Sequence, residues 1–522
     1  MNKLTNLLYN ASLQIIKYMG FGLMAFLFIS GLLFTCYALD MESQLVLTRM
    51  DNLLLSFIWL ALFLVLLYFF FKPALKNPAK TKKILLGVCF FWYVFAGIVL
   101  ILFSKTVPAA DAWSTYSIAL ELAQGNTGVI HPTDSYLSYY PQQIGLVAYY
   151  EIIIRAWRLL FPSVHAYHLL KCINLGWACI IVLFQYKSVK ILFHNDKADI
   201  IYLLLSLFHF PMLLYTSFVY GEIPSFALFS IGLWALLVLF QSTRPAKKKL
   251  VLLSLISIFA FSGAVMLRKN TLVLMIAVVI VTFLEWIRRK KGLFLLLAVV
   301  FALTSCLSLP ALQSFYEYRA DNTLKSGVPP MSYFAMGMQE SSRANGWYNG
   351  FNFYTYQETG MDTELTNELS KAAISQRLDY FSENPGYALT FYKDKIFSQW
   401  IDGSYASRQA TLATFGGRSA FFLELYEGKY SMLFIEWCNV LQNIVYLGAF
   451  FFCFLQIKKK SPNTNMGLPV YLCLIGVLGG FLFHLIWEAN SRYIFTYGLL
   501  LLPYAASGIS SLIQSWEDGG LG

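Results

Sequence analysis

Residues 104–142, SKTVPAADAWSTYSIALELAQGNTGVIHPTDSYLSYYPQ, form a polar stretch in a chain otherwise dominated by apolar segments. Its ionisable side chains include Asp111, Glu121, His131 and Asp134. A stretch of this kind between membrane-crossing runs is a loop outside the hydrocarbon core. The side of the membrane on which it lies decides which other polar clusters can meet it.

The composition is that of a polytopic α-helical membrane protein. Of 522 residues, 58% are hydrophobic and only 13% are charged, against about 25% charged in soluble domains. The first apolar run is too long for a signal-peptide core and is predicted to be a retained anchor. Runs able to span a bilayer cover roughly 13–37, 53–71, 84–103, 166–186, 198–218, 223–241, 249–267, 270–287, 292–310, 432–456, 467–487 and 491–513.

The basic residues predict the orientation of these twelve runs. Clusters within 72–83, 187–197, 242–249, 288–291 and 458–460 all fall on one side if the run 143–160 does not span. The positive-inside rule makes that side cytoplasmic, with a cytoplasmic N-terminus. If 143–160 spanned as a thirteenth helix, four of the five clusters would face outward. We therefore predict that 143–160, which contains Glu151 and Arg155, lies on the outer surface.

Three regions follow from this topology. Residues 1–311 form a transmembrane domain with the first large outer loop at 104–142. Residues 312–430 form an extracytoplasmic subdomain, in which a helix begins near Thr363 or Thr366 and stops at Asn384-Pro385-Gly386. Residues 431–522 carry the last transmembrane helices, so the fold class is all-α.

Several functions are disfavoured by the same sequence. The net charge of +11 arises from the short cytoplasmic clusters and does not indicate nucleic-acid binding. The eight cysteines lie in or beside apolar runs, with no CxxC motif, so neither a disulfide framework nor a thiolate metal site is expected. The histidines show no HExxH-type spacing, and we predict no metal site.

Two carboxylates are candidate catalytic groups on the outer face. Asp111 follows a span and can accept a proton from an acceptor hydroxyl. The alternatives are a solvated loop residue and an N-cap for a helix beginning at Ala112. Glu222, in YGEIPS, can face Asp111 as a second carboxylate. Its alternative is a structural acid favoured by the helix dipole.

Basic residues on the same face are candidate phosphate ligands. Arg268 and Lys269 lie between two spans with almost no loop, against the positive-inside trend. A lipid-linked phosphate explains them, and snorkelling to headgroups is the alternative. Glu488 and Arg492 are four residues apart, so on one helix they face the same way and either pair or bind substrate.

The chain resembles the GT-C superfamily of glycosyltransferases, which includes protein O-mannosyltransferases and lipid A aminoarabinose transferases. It is most similar to large integral membrane proteins of Gram-positive bacteria. The resemblance rests on six motifs in order along the chain: DAWSTYSIALELAQG at 111–125, SYYPQQIG at 138–145, YGEIPSF at 220–226, LRKN at 267–270, PGYALTFYKDKIFSQWIDGSYAS at 385–407 and EANSRYIFTYGLLLL at 488–502.

The resemblance implies a polyprenyl-phosphate-sugar donor, transfer on the outer face, Asp111 as base and Glu222 as a second acidic residue. Arg268, Lys269 and Arg492 would bind the donor phosphate. Glu488, Tyr140, Gln142 and Tyr493, from the same motifs, would position substrate. Protein O-mannosyltransferases carry an Asp-Glu pair in the first loop, whereas this chain has Asp111-Ala112. Together with the extra pair of spans before residue 84, this difference favours a cell-envelope glycopolymer or glycolipid as acceptor over a protein.

The predicted protein is thus a plasma-membrane glycosyltransferase with an extracytoplasmic site, embedded in a lipid bilayer and without nucleic-acid partners. No cofactor is required by the sequence, although a divalent cation is compatible with it. The alternatives are a transporter or flippase for lipid-linked oligosaccharides, expected to show internal repeats or broken helices at the midplane, and a polysaccharide polymerase.

Overall fold

The computed structural model describes residues 3–39, 44–133, 135–162, 166–242, 246–414, 416–458 and 467–517. Within these ranges the chain is mostly helical. The first eleven helices are α1 Lys3–Leu33, α2 Leu53–Ala74, α3 Pro78–Ser104, α4 Ala110–Ala123, α5 Tyr136–Tyr139, α6 Ile144–Leu160, α7 Tyr167–Phe193, α8 Asp196–Leu207, α9 Phe210–Tyr215, α10 Glu222–Gln241 and α11 Lys247–Leu267. The remaining helices are α12 Leu272–Arg289, α13 Gly292–Ala320, α14 Pro330–Gly337, α15 Phe351–Glu358, α16 Thr363–Glu383, α17 Pro385–Trp400, α18 Ser407–Ala410, α19 Ala420–Tyr426, α20 Ser431–Lys458, α21 Leu472–Ile486 and α22 Ser491–Glu517.

Eleven helices in the described part of the chain are long and apolar enough to cross a membrane: α1, α2, α3, α7, α10, α11, α12, α13, α20, α21 and α22. The chain is therefore a polytopic α-helical membrane protein. Large apolar side chains on α2 and α3, such as Phe69 and Phe91, remain exposed. Such faces are stable only against lipid or another apolar surface.

The polar contacts at the helix ends fall into two groups, one at each end of the bundle. At the first, which we name the basic end, Lys82 pairs with Asp196 and Asp199. There the Tyr9 hydroxyl also donates to Glu285 at 3.0 Å. At the second, which we name the site end, Arg268 at the end of α11 meets Glu222 at the start of α10. The spanning helices thus place these charged contacts on two separate surfaces.

The predicted continuous span at 198–218 is wrong in detail. The chain forms α8, breaks at Phe208 and His209, and continues as the short α9. Pro211 explains the break, because its ring clashes with the carbonyl of the residue four positions earlier, Leu207, where α8 ends. The segment still connects the two ends, since Asp196 pairs with Lys82 and the Tyr215 hydroxyl donates to the Tyr405 carbonyl at the site end.

The end of the predicted first span, at residue 37, also differs from the structure. Helix α1 ends at Leu33, and β1 Phe34–Ala38 pairs antiparallel with β2 Val46–Met50. Aromatic and β-branched residues in β1 favour a strand over a helix. The hairpin joins the rest of the site end, because the Val46 N–H donates to the Arg343 carbonyl and Arg408 donates to the Ala38 carbonyl.

Helix α6 contacts the site end both at its start and in its second half. Gly145 packs against the carbonyl of Met266 with no space for a Cβ. Further along, Glu151 accepts hydrogen bonds from Arg155 at 2.8 Å and from Arg319 at 2.7 Å. Two charged residues within the 143–160 run, Glu151 and Arg155, are therefore paired with each other, and Arg319 is a second partner of Glu151.

The polar region between α13 and α20 forms a helical cover over the site end. Helix α13 continues to Ala320, beyond the boundary predicted at residue 312. Helix α16 begins at Thr363 after the N-cap Asp362 and ends before Pro385, as the sequence predicted. The cover is attached to the α21–α22 connection, because the Ala489 N–H donates to the Gly346 carbonyl at 2.7 Å.

Candidate functional site

A cavity of about 1020 Å³ lies at the site end, beneath the helical cover. Its wall contains eight of the nine residues predicted to form the site: Asp111, Tyr140, Gln142, Arg268, Lys269, Glu488, Arg492 and Tyr493. These residues come from the first large loop, the α11–α12 connection, the α21–α22 connection and the first turn of α22. Chain segments almost 400 residues apart thus contribute polar side chains to one space.

Glu222, the ninth predicted residue, lies behind this wall and holds two arginines. It is only 3% exposed, at the first turn of α10. The Arg268 guanidinium lies 2.8 Å from its carboxylate, and Nε of Arg492 lies 3.7 Å from the same oxygen. Glu222 is thus a structural acid at a helix N-terminus, as one interpretation of the sequence had it. It also has a role in the site, because it fixes two arginines that line the cavity.

Tyr220 is a cavity residue that sequence reasoning did not select. Its hydroxyl accepts a hydrogen bond from Gln143 at 2.6 Å. Its ring centroid lies 4.8 Å from the Arg268 guanidinium and 5.5 Å from that of Arg492. Both arginines therefore make cation–π contacts with Tyr220 in addition to their ion pairs with Glu222. The signal was its place in YGEIPSF, directly before Glu222.

Asp111 lies in the first turn of α4, and the capping interpretation is not what the structure shows. The N-cap is Ala109, which makes no side-chain cap bond. Ala110, next to Asp111, has φ of 47°, in the left-handed region that costs a non-glycine residue about 1–2 kcal/mol. Strained backbone of this kind clusters at functional sites. Asp111 is partly exposed to the cavity.

Glu488 is the second carboxylate of the cavity wall. The prediction that it shares a helix face with Arg492 is wrong, because α22 begins at Ser491 and Glu488 lies in the extended connection before it. Arg492 contacts Glu222 instead. Burial raises the pKa of Glu488 to about 7; the positive charge of Arg492 opposes this rise and the negative charge of Asp111 adds to it. The two carboxylates are therefore electrostatically coupled.

An apolar groove continues the cavity between two spanning helices. Leu272, Val273 and Ile276 of α12 face Cys306 and Leu309 of α13 in its wall. Ile276 and Cys306 are exposed on the helical surface. The groove begins at Lys269, so a molecule with a charged head and a long apolar tail can occupy cavity and groove together.

Arg343 is a further cation that the sequence analysis missed. It lies in the loop between α14 and α15 and lines the cavity. Its guanidinium lies 5.2 Å from the ring centroid of Tyr348. Nothing in its local sequence sets it apart, because only the folding of the cover over the bundle brings it to Glu488.

Glu121 and His131 of the first loop are not among the residues that line the cavity. His131 stabilises a local turn, since its Nδ1 accepts from the Thr133 N–H at 3.3 Å. Asp134 lies outside the described residues. Across the described ranges, no group of three or more His, Cys, Asp or Glu side chains is placed to hold a metal ion.

Comparison with known proteins adds no assignment. No model of a known protein family matches the chain, and no curated protein sequence matches it significantly.

Proposed function

We propose that the protein is a membrane glycosyltransferase that moves a sugar from a polyprenyl-phosphate-linked donor to a cell-envelope glycopolymer or glycolipid. The observation that carries this proposal is the combination in one cavity of two carboxylates, several cations and an apolar groove open along α12 and α13. A lipid-phosphate sugar contains the three matching parts: a hydroxylated ring, an anion and a long hydrocarbon tail.

The charge distribution supports transfer on the outer face of the cell membrane. Lys82, Arg288 and Arg289 lie at the basic end. Under the positive-inside rule that end is cytoplasmic. The N-terminus is then cytoplasmic as well, and the cavity opens outside the cell.

In the proposed donor site, Arg268, Lys269 and Arg492 hold the phosphate and the α12–α13 groove holds the tail. Arginine presents a fork of N–H donors that suits phosphate oxygens. Glu222 and the Tyr220 ring hold Arg268 and Arg492 in place. Glu222 therefore acts on the donor through these arginines.

In the proposed reaction, Asp111 accepts the proton of the acceptor hydroxyl. The acceptor oxygen then forms a bond to the anomeric carbon, the bond from that carbon to the phosphate oxygen breaks, and polyprenyl phosphate leaves with the electron pair. Glu488 supplies the second carboxylate that is missing beside Asp111 in the sequence. With a pKa of about 7 it can donate or accept a hydrogen bond at a sugar hydroxyl near neutral pH.

The transporter alternative gains one observation, the break between α8 and α9. Broken helices in transporters expose backbone groups and charges to a substrate path. Here His209 is buried, with its ring stacked at 6.0 Å from that of Tyr405, and the break has no charged residue. A polymerase of lipid-linked oligosaccharides would use the same cavity and chemistry.

The proposal is tested with a deletion strain complemented by wild type or by Asp111→Asn, with Asp379→Asn on the exposed face of α16 as matched control. We expect Asp111→Asn to give the glycan composition of the deletion strain and Asp379→Asn that of wild type, at equal amounts of protein in the membrane. A transporter tolerates the amide at position 111. Normal glycans in the Asp111→Asn strain would therefore overturn the proposal.

A further inference from the structure

Arg343 is fixed on the cavity wall without a direct ionic partner. Its backbone N–H donates to Ser341 Oγ at 3.2 Å, and its carbonyl accepts from Val46 of the β-hairpin at 2.9 Å. Its guanidinium stacks on Tyr348. No carboxylate among the described residues lies within 4.0 Å of it, whereas Arg268 and Arg492 both approach Glu222 that closely. Arg343 thus remains available to an anion entering the cavity.

Gln409 is a second polar group on the same wall that has unused capacity. Its side chain is 7% exposed, lines the cavity and donates through Nε2 to the Ala38 carbonyl at 2.8 Å. Its Oε1 is buried and has no hydrogen-bond partner. Buried polar atoms are nearly always paired, so this amide oxygen is suited to accept a hydrogen bond from a ligand hydroxyl.

This wall is built from different elements than the donor-phosphate site. Arg343 and Gln409 belong to the cover between α13 and α20 and contact the β-hairpin, none of which spans the bilayer. Arg268, Lys269 and Arg492 lie at the ends of spanning helices, beside the apolar groove. The positive charges of Arg492 and Arg343 both lower the pKa of Glu488. Glu488 is therefore close enough to one member of each set of cations to interact with it electrostatically.

A lipid whose tail fills the α12–α13 groove has its phosphate at the Lys269 end of the cavity. The cover, in contrast, faces the part of the cavity away from the groove, where a ligand without a lipid tail can bind. An arginine, an amide oxygen and the Tyr348 ring together suit a hydroxylated sugar that carries an anionic substituent. The cavity needs a second cationic site only if its second substrate is itself charged.

We infer that Arg343, Tyr348 and Gln409 form the acceptor subsite and that the acceptor is an anionic glycan, bearing a phosphate or carboxylate group close to the hydroxyl that receives the sugar. This inference rests on the proposed transferase function and specifies its second substrate. The shared chemistry is an oxyanion on a polyol or sugar, which a phosphodiester polymer and a uronate-containing polymer both provide.

The test is direct binding of three fluorescent probes to the full-length protein in lipid nanodiscs: a short poly(glycerol phosphate), an oligogalacturonate and neutral maltoheptaose. We expect at least one anionic probe to bind about tenfold tighter than maltoheptaose. Arg343→Gln should remove that difference, Arg343→Lys should retain part of it, and Lys371→Gln, a matched loss of charge on exposed α16, should leave it intact. Preference between the two anionic probes distinguishes phosphate from carboxylate.

Three results would overturn the inference: equal binding of charged and neutral probes, unchanged anionic binding by Arg343→Gln, or displacement of the anionic probe by undecaprenyl phosphate. The last result would assign Arg343 to the donor. Thermal melting of each variant checks that it is folded. If glycan transfer requires Asp111 but the affinity for the anionic probes is the same in wild type and Arg343→Gln, the transferase proposal stands and the acceptor inference fails. If anionic glycans bind through Arg343 but the Asp111→Asn strain has normal glycans, the transferase proposal fails and the anionic-glycan subsite stands as a binding site.

Discussion

The basic end and the site end of the bundle use similar residues for different purposes. At the basic end, Glu285 is completely buried and is bonded to Arg288, Arg289 and the Tyr9 hydroxyl. At the site end, Glu488 and Arg343 line a cavity and have no ion pair within 4.0 Å among the described residues. Charges that neutralise each other stabilise the folded bundle, whereas charges that face a cavity remain available to a substrate.

Glu285→Gln should cause a large loss of stability. The change leaves Arg288 and Arg289 without their carboxylate, and breaking a buried ion pair costs about 3–5 kcal/mol. Thermal unfolding in detergent should show the loss, whereas transfer activity per folded molecule should remain close to wild type. Glu383→Gln, on exposed α16, is the matched control. A stable but inactive Glu285→Gln protein would contradict the assignment of a structural role to the basic end and a functional role to the site end.

Glu488 should make stability depend on pH in the opposite sense to an ordinary carboxylate. Its folded-state pKa of about 7 lies above the ordinary value of 4.5, so its contribution is complete below pH 4.5 and is lost as pH rises through 7. The loss is on the order of 3 kcal/mol. Melting temperatures measured from pH 4.5 to 7.5 should fall more steeply in wild type than in Glu488→Gln. Parallel profiles would show that Glu488 is not the titrating group.

The sequence predicted the spanning helices well because an apolar run of about 20 residues has few alternatives in a membrane protein. It failed at two places. The predicted span at 198–218 did not take account of Pro211, which ends α8, and the last residues of the first apolar run form β1 instead of continuing the helix. The cavity-wall residues that the sequence selected lie mainly near helix ends, where charged residues interrupt apolar sequence. Tyr220, Arg343 and Gln409 were missed because their importance depends on contacts between distant segments.

Arg492→Gln should weaken donor use at the site end without unfolding the bundle. Loss of a charged hydrogen bond to phosphate raises the KM for the lipid donor roughly tenfold to a hundredfold. The KM for the acceptor should change little, because Arg343 is assigned to that substrate. Steady-state kinetics with each substrate varied in turn distinguishes the two. An acceptor-specific defect in Arg492→Gln would reverse the assignment of the two cation sets.

The smallest expected effect concerns the apolar groove. Cys306 is exposed in its wall, and Cys172 is a second exposed cysteine elsewhere. In a Cys172→Ser background, undecaprenyl phosphate should slow thiol modification of Cys306 by several-fold, because the tail covers the groove. Squalene, which has no phosphate, should protect less. Equal protection by both would show that the cavity does not recognise the lipid head.

The most direct test of the account is donor consumption by purified protein in nanodiscs made with lipids of the deletion strain and supplied with that strain's cell-envelope glycans. Mass spectrometry follows the polyprenyl-phosphate-sugar and the released polyprenyl phosphate. Wild type should convert one to the other with sugar appearing on the glycan, and Asp111→Asn should be slower by at least a hundredfold. Equal conversion by the two proteins would contradict a catalytic role for Asp111.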